Sequence, residues 1–361
     1  MPRLRFSAAL IGLLAIAAAM SSAAADEPFY KGKRLTLLIN FAPGGPTDIE
    51  GRLLAKHLAR QLDGQPLILV QNKDGAGGLV GTNYLGEVAP RDGSMAGYVT
   101  GAAWKFVTEP ESHRVDFRSF EFVGYQPGNA VYYARADIPP GLRKPADILN
   151  ARDVVAGGLA VESSKDLLIR LTLDMLGVPY RYVTGYRSSA TARLALERGE
   201  INLHSESTPS FFAVIEPGLV KTGKVIPLYY DPDYDGTKFT IPRAMQGSSI
   251  APFPDFYRTR KGALPSGLPW DAYRTNLAVD SAVLRTVVMP PGSPPAAVEA
   301  LRTALSRLND DKDYGEEALS TIQFVPHYET GPDINDRVRA RLSVSPTIRN
   351  FVLNYMKGST K

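Results

Sequence analysis

Two glycine-rich stretches contain the residues of this sequence that are best suited to bind an anion. The first is Gly44 and Gly45, followed by Thr47 and Asp48, and the second is Gly75-Ala76-Gly77-Gly78. Glycine lets a ligand approach the main chain, whose N–H groups are strong hydrogen-bond donors. Neither stretch has the lysine that completes a nucleotide-binding loop. The pattern therefore favours a small anion such as a carboxylate, with turns that bind nothing as the alternative.

Each glycine stretch lies between a predicted strand and a predicted helix. Leu35–Phe41 is an apolar run typical of a strand that is covered on both faces, and Leu67–Gln71 is a second, short apolar strand. Thr47 or Asp48 is suited to cap the first helix, and the second helix is predicted from about Gly78 to Ala89. In parallel sheets such loops share the carboxyl edge, where helix starts offer free N–H groups. For Asp48, capping and acceptance of a hydrogen bond from the ligand stay open, whereas an ion pair is the expected role of Arg52.

The middle of the chain repeats this alternation of strand, loop and helix. Helices are predicted to end at Gly177 and Gly199, each followed by a further strand. The ends of these strands add ligand candidates, namely Ser163, Ser164, Gly185, Tyr186, Ser188, Ser205 and Glu206. Helix capping is the alternative role of Ser163 and Ser164, and Arg187 is expected to be exposed rather than paired with a carboxylate. An inward-facing Glu206 would repel a dianion and favour a ligand with an amine or several hydroxyl groups.

The sequence motifs of common enzymes and metal sites are missing. There is no G-x-S-x-G, no H-E-x-x-H and no serine–lysine hydrolase motif set. The histidines, His57, His113, His204 and His327, are far apart and have no metal-ligand spacing. We therefore expect no catalytic residue, no cofactor and no bound metal.

The first 25 residues have the pattern of a cleavable export signal. Arg3 and Arg5 precede the apolar run Leu10–Met20, and three alanines precede Asp26. Without the signal the formal charge is +2, from 41 − 2 = 39 basic against 37 acidic residues. A charge this small gives no reason to expect a nucleic-acid partner, and the absence of cysteine excludes disulfides. We expect an exported, soluble, monomeric protein of the periplasm.

The mature length of about 335 residues suggests two domains. We predict a first lobe from residues 26–126 and 231–361 and a second lobe from residues 127–230. The motif Gln126-Pro127-Gly128 is the expected crossing between them. Residues 231–280 are rich in proline, glycine and aromatic residues, and we expect them to be largely irregular.

The stretches "FAPGGPTD", "NKDGAGGLVGT" and "VVMPPGSPPAAVEALRTALS" resemble, in this order, the solute receptors of tripartite tricarboxylate transporters, the Bug receptor family. The resemblance implies an α/β fold of two lobes, the type II Venus-flytrap periplasmic-binding-protein fold, with a ligand cleft between the lobes. It also implies a small carboxylate ligand and delivery to integral-membrane transporter subunits. A ligand sensor that docks on a membrane signalling partner is the alternative function. The text "VTGYRSSA" departs from the family's second-lobe motif, so the resemblance does not identify the ligand.

Overall fold

The protein is described by a computed structural model that covers residues 27–186 and 188–358. The predicted export signal, residues 1–25, and the cleavage site before Asp26 lie outside the described residues. So does Arg187. Within the described residues the main architecture is a pair of five-stranded sheets, each covered by helices on both faces.

The first sheet has the spatial order β2-β1-β3-β12-β4. Its strands are β1 (Arg34–Ile39), β2 (Leu67–Asn72), β3 (Met95–Val99), β4 (Glu121–Gln126) and β12 (Arg285–Met289). Strands β1, β2 and β3 are parallel, but β12 is antiparallel to both of its neighbours. The alternation of strand, loop and helix in the sequence is typical of parallel strands, and β1, β2 and β3 have this arrangement. Strand β12 runs in the opposite direction to its neighbours. The chain reaches β12 on its way back from the second sheet, so it starts at the end of the first sheet where β4 stops.

The second sheet repeats the arrangement in the order β7-β6-β8-β5-β9. Its strands are β5 (Ala130–Arg135), β6 (Val154–Gly157), β7 (Tyr180–Val183), β8 (Leu203–Ser207) and β9 (Val225–Tyr230). Strands β6, β7 and β8 are parallel, and β5 is antiparallel to β8 and β9. Each sheet therefore contains three parallel strands whose carboxyl ends share one edge.

Helices cover both faces of the first sheet. They are α1 (Pro46–Gln61), α2 (Leu79–Glu87), α3 (Ala102–Thr108), α8 (Pro295–Leu308) and α9 (Lys312–Ile322). Leu37 and Leu38 are adjacent in β1 and fully buried, yet they belong to different hydrophobic clusters. Leu37 packs in the cluster of α1 and α8, whereas Leu38 packs in the cluster that contains Leu85 of α2 and Trp104 of α3. The continuous apolar run of β1 therefore has the double-sided burial that it predicts.

The second sheet is covered by α4 (Ser164–Leu176) on one face, and by α5 (Ser189–Arg198) and a π-helix (Phe211–Val220) on the other. Both α4 and α5 end at a left-handed glycine, Gly177 and Gly199, as the sequence predicts. Two further helices, α10 (Ile334–Arg341) and α11 (Pro346–Gly358), follow near the end of the described residues.

Residues 231–280 are more regular than the sequence indicates. They contain α6 (Phe253–Lys261), α7 (Leu268–Val279) and a short ribbon of β10 (Asp233–Tyr234) and β11 (Phe239–Thr240). The buried residues of α7 include Trp270, Tyr273 and Leu277, which have helical spacing. The prediction of an irregular segment is wrong here, because the frequent proline and glycine residues lie between these elements or in the first turn of the helices, where proline is tolerated.

The chain crosses between the two sheets at residues 127–129 and again after β9. At the second crossing Asp231 is almost completely buried, and its carboxylate accepts hydrogen bonds from Tyr132 (2.8 Å) and Tyr273 (3.0 Å). Asn129 joins the two crossings by donating to the main-chain oxygen of Asp231 (3.0 Å). We propose these crossings as the boundaries of the two lobes that the sequence predicts. Among the described residues, no helix combines the length and the apolar character needed to span a membrane.

Candidate functional site

The first glycine loop, residues 41–45, leads into α1, which begins at Pro46 with Gly45 as its N-cap. The prediction that Thr47 or Asp48 caps the helix is therefore wrong. Proline suits the first helical position, because its φ is already helical and no N–H partner is needed there. Thr47 and Asp48 are buried in the first turn of the helix, while Gly44 is exposed.

The carboxylate of Asp48 fixes the shape of this loop. It accepts hydrogen bonds from the Gly44 amide (2.8 Å), from Arg52 Nε (3.0 Å) and from Asn72 Nδ2 (2.7 Å). Burial acts to raise the pKa of Asp48, but the donors Arg52, Gly44 and Asn72 together hold it below its usual range. Asp48 thus positions the loop, and Arg52 makes the structural ion pair that the sequence predicts.

The second glycine loop, residues 74–78, has a left-handed backbone through four consecutive residues. The φ angles are +124° at Gly75, +48° at Ala76, +65° at Gly77 and +95° at Gly78. Glycine is the residue type that adopts this region without strain. Gly75, Ala76 and Gly77 are exposed, and α2 begins at Leu79, one residue after its predicted start.

Asn40, at the carboxyl end of β1, joins the second glycine loop to β1 and to the end of β3. The side chain is fully buried, and its Nδ2 donates to the main-chain oxygens of Gly78 (3.2 Å) and Thr100 (3.0 Å). Its Oδ1 accepts from the Thr100 amide (3.1 Å). Sequence reasoning missed this residue, although a lone amide within the apolar run Leu35–Phe41 is a recognisable signal.

The glycines of the two loops differ in the space around them. A Cβ atom on Gly78 would lie 2.3 Å from Asn40 Nδ2, so this glycine is required by packing. A Cβ on Gly45 would meet only Ala42 O, at 3.6 Å, and Gly45 has an ordinary φ of −81°. A side chain at Gly45 therefore fits the fold and projects into open space beside the loop.

A buried ion pair lies at the same edge of the first sheet. Arg285 Nε is 2.9 Å from Glu50 Oε2, and Arg285 Nη1 donates to the Thr100 hydroxyl (2.6 Å). Tyr98 also donates to Glu50 (3.1 Å). Because Glu50 neutralises Arg285, this arginine is a structural cation rather than a free counter-ion for a ligand.

In the second sheet, two of the candidate serines cap helices. Ser163 accepts a hydrogen bond from the Asp166 amide (3.2 Å) and is the N-cap of α4. Ser188 caps α5 in a reciprocal box with Thr191. Capping, the alternative considered for Ser163, is therefore its role within the fold.

The remaining candidates of this sheet have different surroundings. Ser164 donates to Asn276 of α7 (2.9 Å), and Ser205 is fully buried. Gly185 is exposed with a φ of +106°, and Tyr186 is half-buried against the cluster of α5.

Glu206 is 2% exposed and pairs with Arg193 at 3.0 Å, so its charge does not face the cleft unopposed. Burial raises the pKa of Glu206, although Lys165 and Arg193 act to lower it.

Lys165 is the functional candidate of this sheet that the sequence reasoning missed. Its Nζ donates to Ser189 Oγ (2.8 Å) and to the main-chain oxygen of Ser205 (2.9 Å), and it lies 3.5 Å from His204 Nε2. The ammonium thus joins the starts of α4 and α5 to the end of β8. Burial lowers the pKa of Lys165, while Glu206 and Asp166 favour its charged form.

A cavity elsewhere in the described residues does not coincide with the candidate residues. A cavity of about 580 Å³ lies beside β7 and α4, lined by residues such as Arg170, Tyr180 and Tyr182, and it contains none of the candidate residues. In the described part of the chain, no three acidic, histidine or cysteine side chains are close enough to hold a metal ion. The two glycine loops and the edge around Lys165 are therefore the candidate ligand site.

Comparison with known proteins identifies relatives for most of the chain. A UPF0065 protein of Bordetella pertussis is 26% identical over 303 residues, which is 81% of each protein. The protein BugT of the same bacterium is 41% identical over 75 residues, 21% of this chain and 22% of BugT. No model of a known protein family matches the chain.

Solved structures with the same fold cover nearly the whole chain. The periplasmic binding protein BugD has a TM-score of 0.59 at 19% identity, covering 91% of this chain and 97% of its own. A TctC solute-binding protein from Polaromonas has a TM-score of 0.63 at 17% identity, with coverages of 89% and 98%. A protein of R. palustris with adipate has a TM-score of 0.61 at 19% identity, with coverages of 90% and 97%. The resemblance to the Bug receptors is thus confirmed, and the chain has the two-lobe α/β fold of the periplasmic binding proteins.

Proposed function

We propose that this protein is a periplasmic receptor that captures a small carboxylate and delivers it to the integral-membrane subunits of a tripartite tricarboxylate-type transporter. One observation carries the proposal. Two glycine loops without any lysine or arginine in their glycine stretches lie at one sheet edge, with exposed main chain at Gly44 and at Gly75–Gly77. Main-chain N–H groups at such an edge suit a carboxylate, with each charge-assisted hydrogen bond contributing about 1.5–3 kcal/mol net.

The site's charges agree with this ligand class. The buried cation of the first lobe, Arg285, is neutralised by Glu50, and Asp48 is satisfied by donors of its own loop. Neither side chain is therefore free to pair with a ligand, and because Asp48 occupies the Gly44 amide, the ligand is left with the other exposed amides of the loops. The adipate-bound neighbour of the same fold supports a small carboxylate as the ligand. We further propose that the protein binds without catalysis, as expected of a receptor.

A thermal-shift screen of organic acids and amino acids tests this function on the mature chain. A ligand that binds only the folded state adds RT ln(1 + [L]/Kd) to its stability, about 2.7 kcal/mol at a hundredfold excess over Kd. We expect at least one small carboxylate to raise the melting temperature in a saturable manner. Stabilisation by uncharged or cationic solutes alone, with every carboxylate inactive, would contradict the proposal.

A further inference from the structure

We propose that the cavity of about 580 Å³ beside β7 and α4 is a second binding site, separate from the cleft, for a small aromatic monocarboxylate. Arg170 of α4 binds the carboxylate in this site, and the rings of Tyr180 and Tyr182 on β7 contact the aromatic body of the ligand. The site does not depend on the proposed receptor function, because none of the residues that line it belongs to the glycine loops or to the edge around Lys165.

The cavity lies away from the end of α4 that faces the candidate ligand site. Its lining residues Arg170 and Asp174 are in the second half of α4, and residues 178–182 lead from that helix into β7. Asp174 comes nine residues after Lys165, which is about 13 Å along the axis of an α-helix. Strand β7 is at the edge of the second sheet, so within the described residues it has a neighbouring strand on one side only.

Arg170 is a buried cation without a counter-ion in the described structure. Its side chain is fully buried, with Nε donating to the main-chain oxygen of Asp166 (3.1 Å) and Nη2 to that of Val161 (2.6 Å). Within residues 27–186 and 188–358, no carboxylate oxygen lies within 4.0 Å of its guanidinium nitrogens, and Nη1 has no hydrogen-bond partner. Buried charges are normally paired, and buried N–H groups are normally bonded. A ligand carboxylate would satisfy both requirements.

Aromatic rings surround this guanidinium. Its Cζ lies 4.9 Å from the centroid of the Tyr182 ring and 5.4 Å from that of Tyr355 on α11, within the range of cation–π attraction. Tyr180 and Tyr182 are two positions apart in β7, so their side chains lie on the same face of the sheet, and both pack against the cluster that contains α4. Ring faces next to a guanidinium favour a ligand whose carboxylate is attached to a flat aromatic body.

The charged residues of the cavity wall suit a single negative charge. The wall contains Arg170, Arg181 and Asp174, which together carry a net charge of +1. Asp174 is exposed, and its carboxylate accepts a hydrogen bond from the Tyr355 hydroxyl. A second negative charge on the ligand would be repelled by Asp174. A monocarboxylate is therefore favoured over a dicarboxylate.

Calorimetric titration of the mature chain with benzoate tests this site. The cleft is first saturated with the strongest acid of the thermal-shift screen other than benzoate; if no acid binds there, the titration is made without one. One molecule of benzoate is expected to bind under either condition. Benzamide has the same ring without the charge, and phthalate adds a second carboxylate, so each is expected to bind at least tenfold more weakly than benzoate.

Arg170→Met should reduce the affinity for benzoate at least tenfold and change the affinity for the cleft acid by less than about threefold. Arg135→Met is the matched control in the same lobe. Like Arg170, Arg135 donates to main-chain oxygens, those of Leu196 and Glu197, but its guanidinium is paired with Asp137 at 2.5 Å. The control removes the same charge and should leave benzoate binding unchanged.

Hydrogen exchange of the wild type needs no variant, so it decides the case even if Arg170→Met does not fold. Benzoate is expected to slow the exchange of main-chain amides in residues 177–183 and to leave residues 41–45 and 74–78 unchanged. Protection confined to the glycine loops, equal binding of benzoate and benzamide, or unchanged affinity in folded Arg170→Met would overturn the second site. Each of these results would leave the proposed receptor function standing.

Discussion

Gly45→Val is expected to weaken carboxylate binding at least tenfold, about 1.4 kcal/mol, while the protein keeps its fold. The valine side chain would extend from the first glycine loop into the space beside the exposed Gly44 main chain, where the proposed carboxylate lies. The fold tolerates the change, because a Cβ at Gly45 lies 3.6 Å from its nearest neighbour, Ala42 O, and φ is −81°. The measurement is a calorimetric titration of the strongest acid from the thermal-shift screen.

Gly218→Val provides the control for this variant. Gly218 lies on the exposed side of the π-helix, with no atom within 4 Å of a Cβ placed there. The affinity of Gly218→Val for the acid should equal that of the wild type. Gly77→Val is a weaker test, because the φ of +65° at Gly77 adds backbone strain to any effect on the ligand. Unchanged affinity in folded Gly45→Val would mean that the first glycine loop is only a turn.

The wild type is expected to lose stability as the pH rises from about 4 to 7, and Asp231→Asn is expected to abolish this loss. Burial raises the pKa of Asp231 to about 7, even though Tyr132 and Tyr273 donate to its carboxylate. In the unfolded chain the carboxyl has its ordinary pKa of 3.8. Between these values the unfolded state has lost the proton and the folded state retains it, so the free energy of unfolding falls with pH.

The size of this effect follows from the width of that pH window. Each pH unit within the window lowers the free energy of unfolding by about 1.4 kcal/mol. The titration of Asp231 alone therefore lowers it by roughly 3 kcal/mol between pH 4.5 and 7. Urea unfolding at several pH values measures the difference between the two proteins. The asparagine does not titrate, so the variant should lose about that much less stability over the range. Parallel curves for wild type and variant would contradict the pKa assigned to the buried Asp231.

Local sequence patterns predict the elements that position the site. The run of apolar residues in β1, the left-handed glycines that end α4 and α5, and the helix that begins at Pro295 are all found close to their predicted places. These features depend on residues that are only a few positions apart in the sequence, so local sequence patterns are enough to predict them.

Interactions between distant residues could not be predicted in the same way. Asn40 bonds Thr100, 60 residues away, and Lys165 bonds Ser205, 40 residues away. The sequence marks Glu206 as a charge near the site, but only the fold shows that Arg193 neutralises it. The charge balance of the cleft depends on such pairings between residues far apart in the sequence.

The central claim is that the main chain of the glycine loops binds a carboxylate, and a crystal structure with the strongest acid from the screen tests it most directly. The carboxylate oxygens are predicted to lie about 2.7–3.0 Å from the main-chain nitrogens of Gly45 and of residues 75–77, within charge-assisted hydrogen-bond range. A carboxylate bound elsewhere in the cleft, with both glycine loops free of ligand contacts, would contradict the claim.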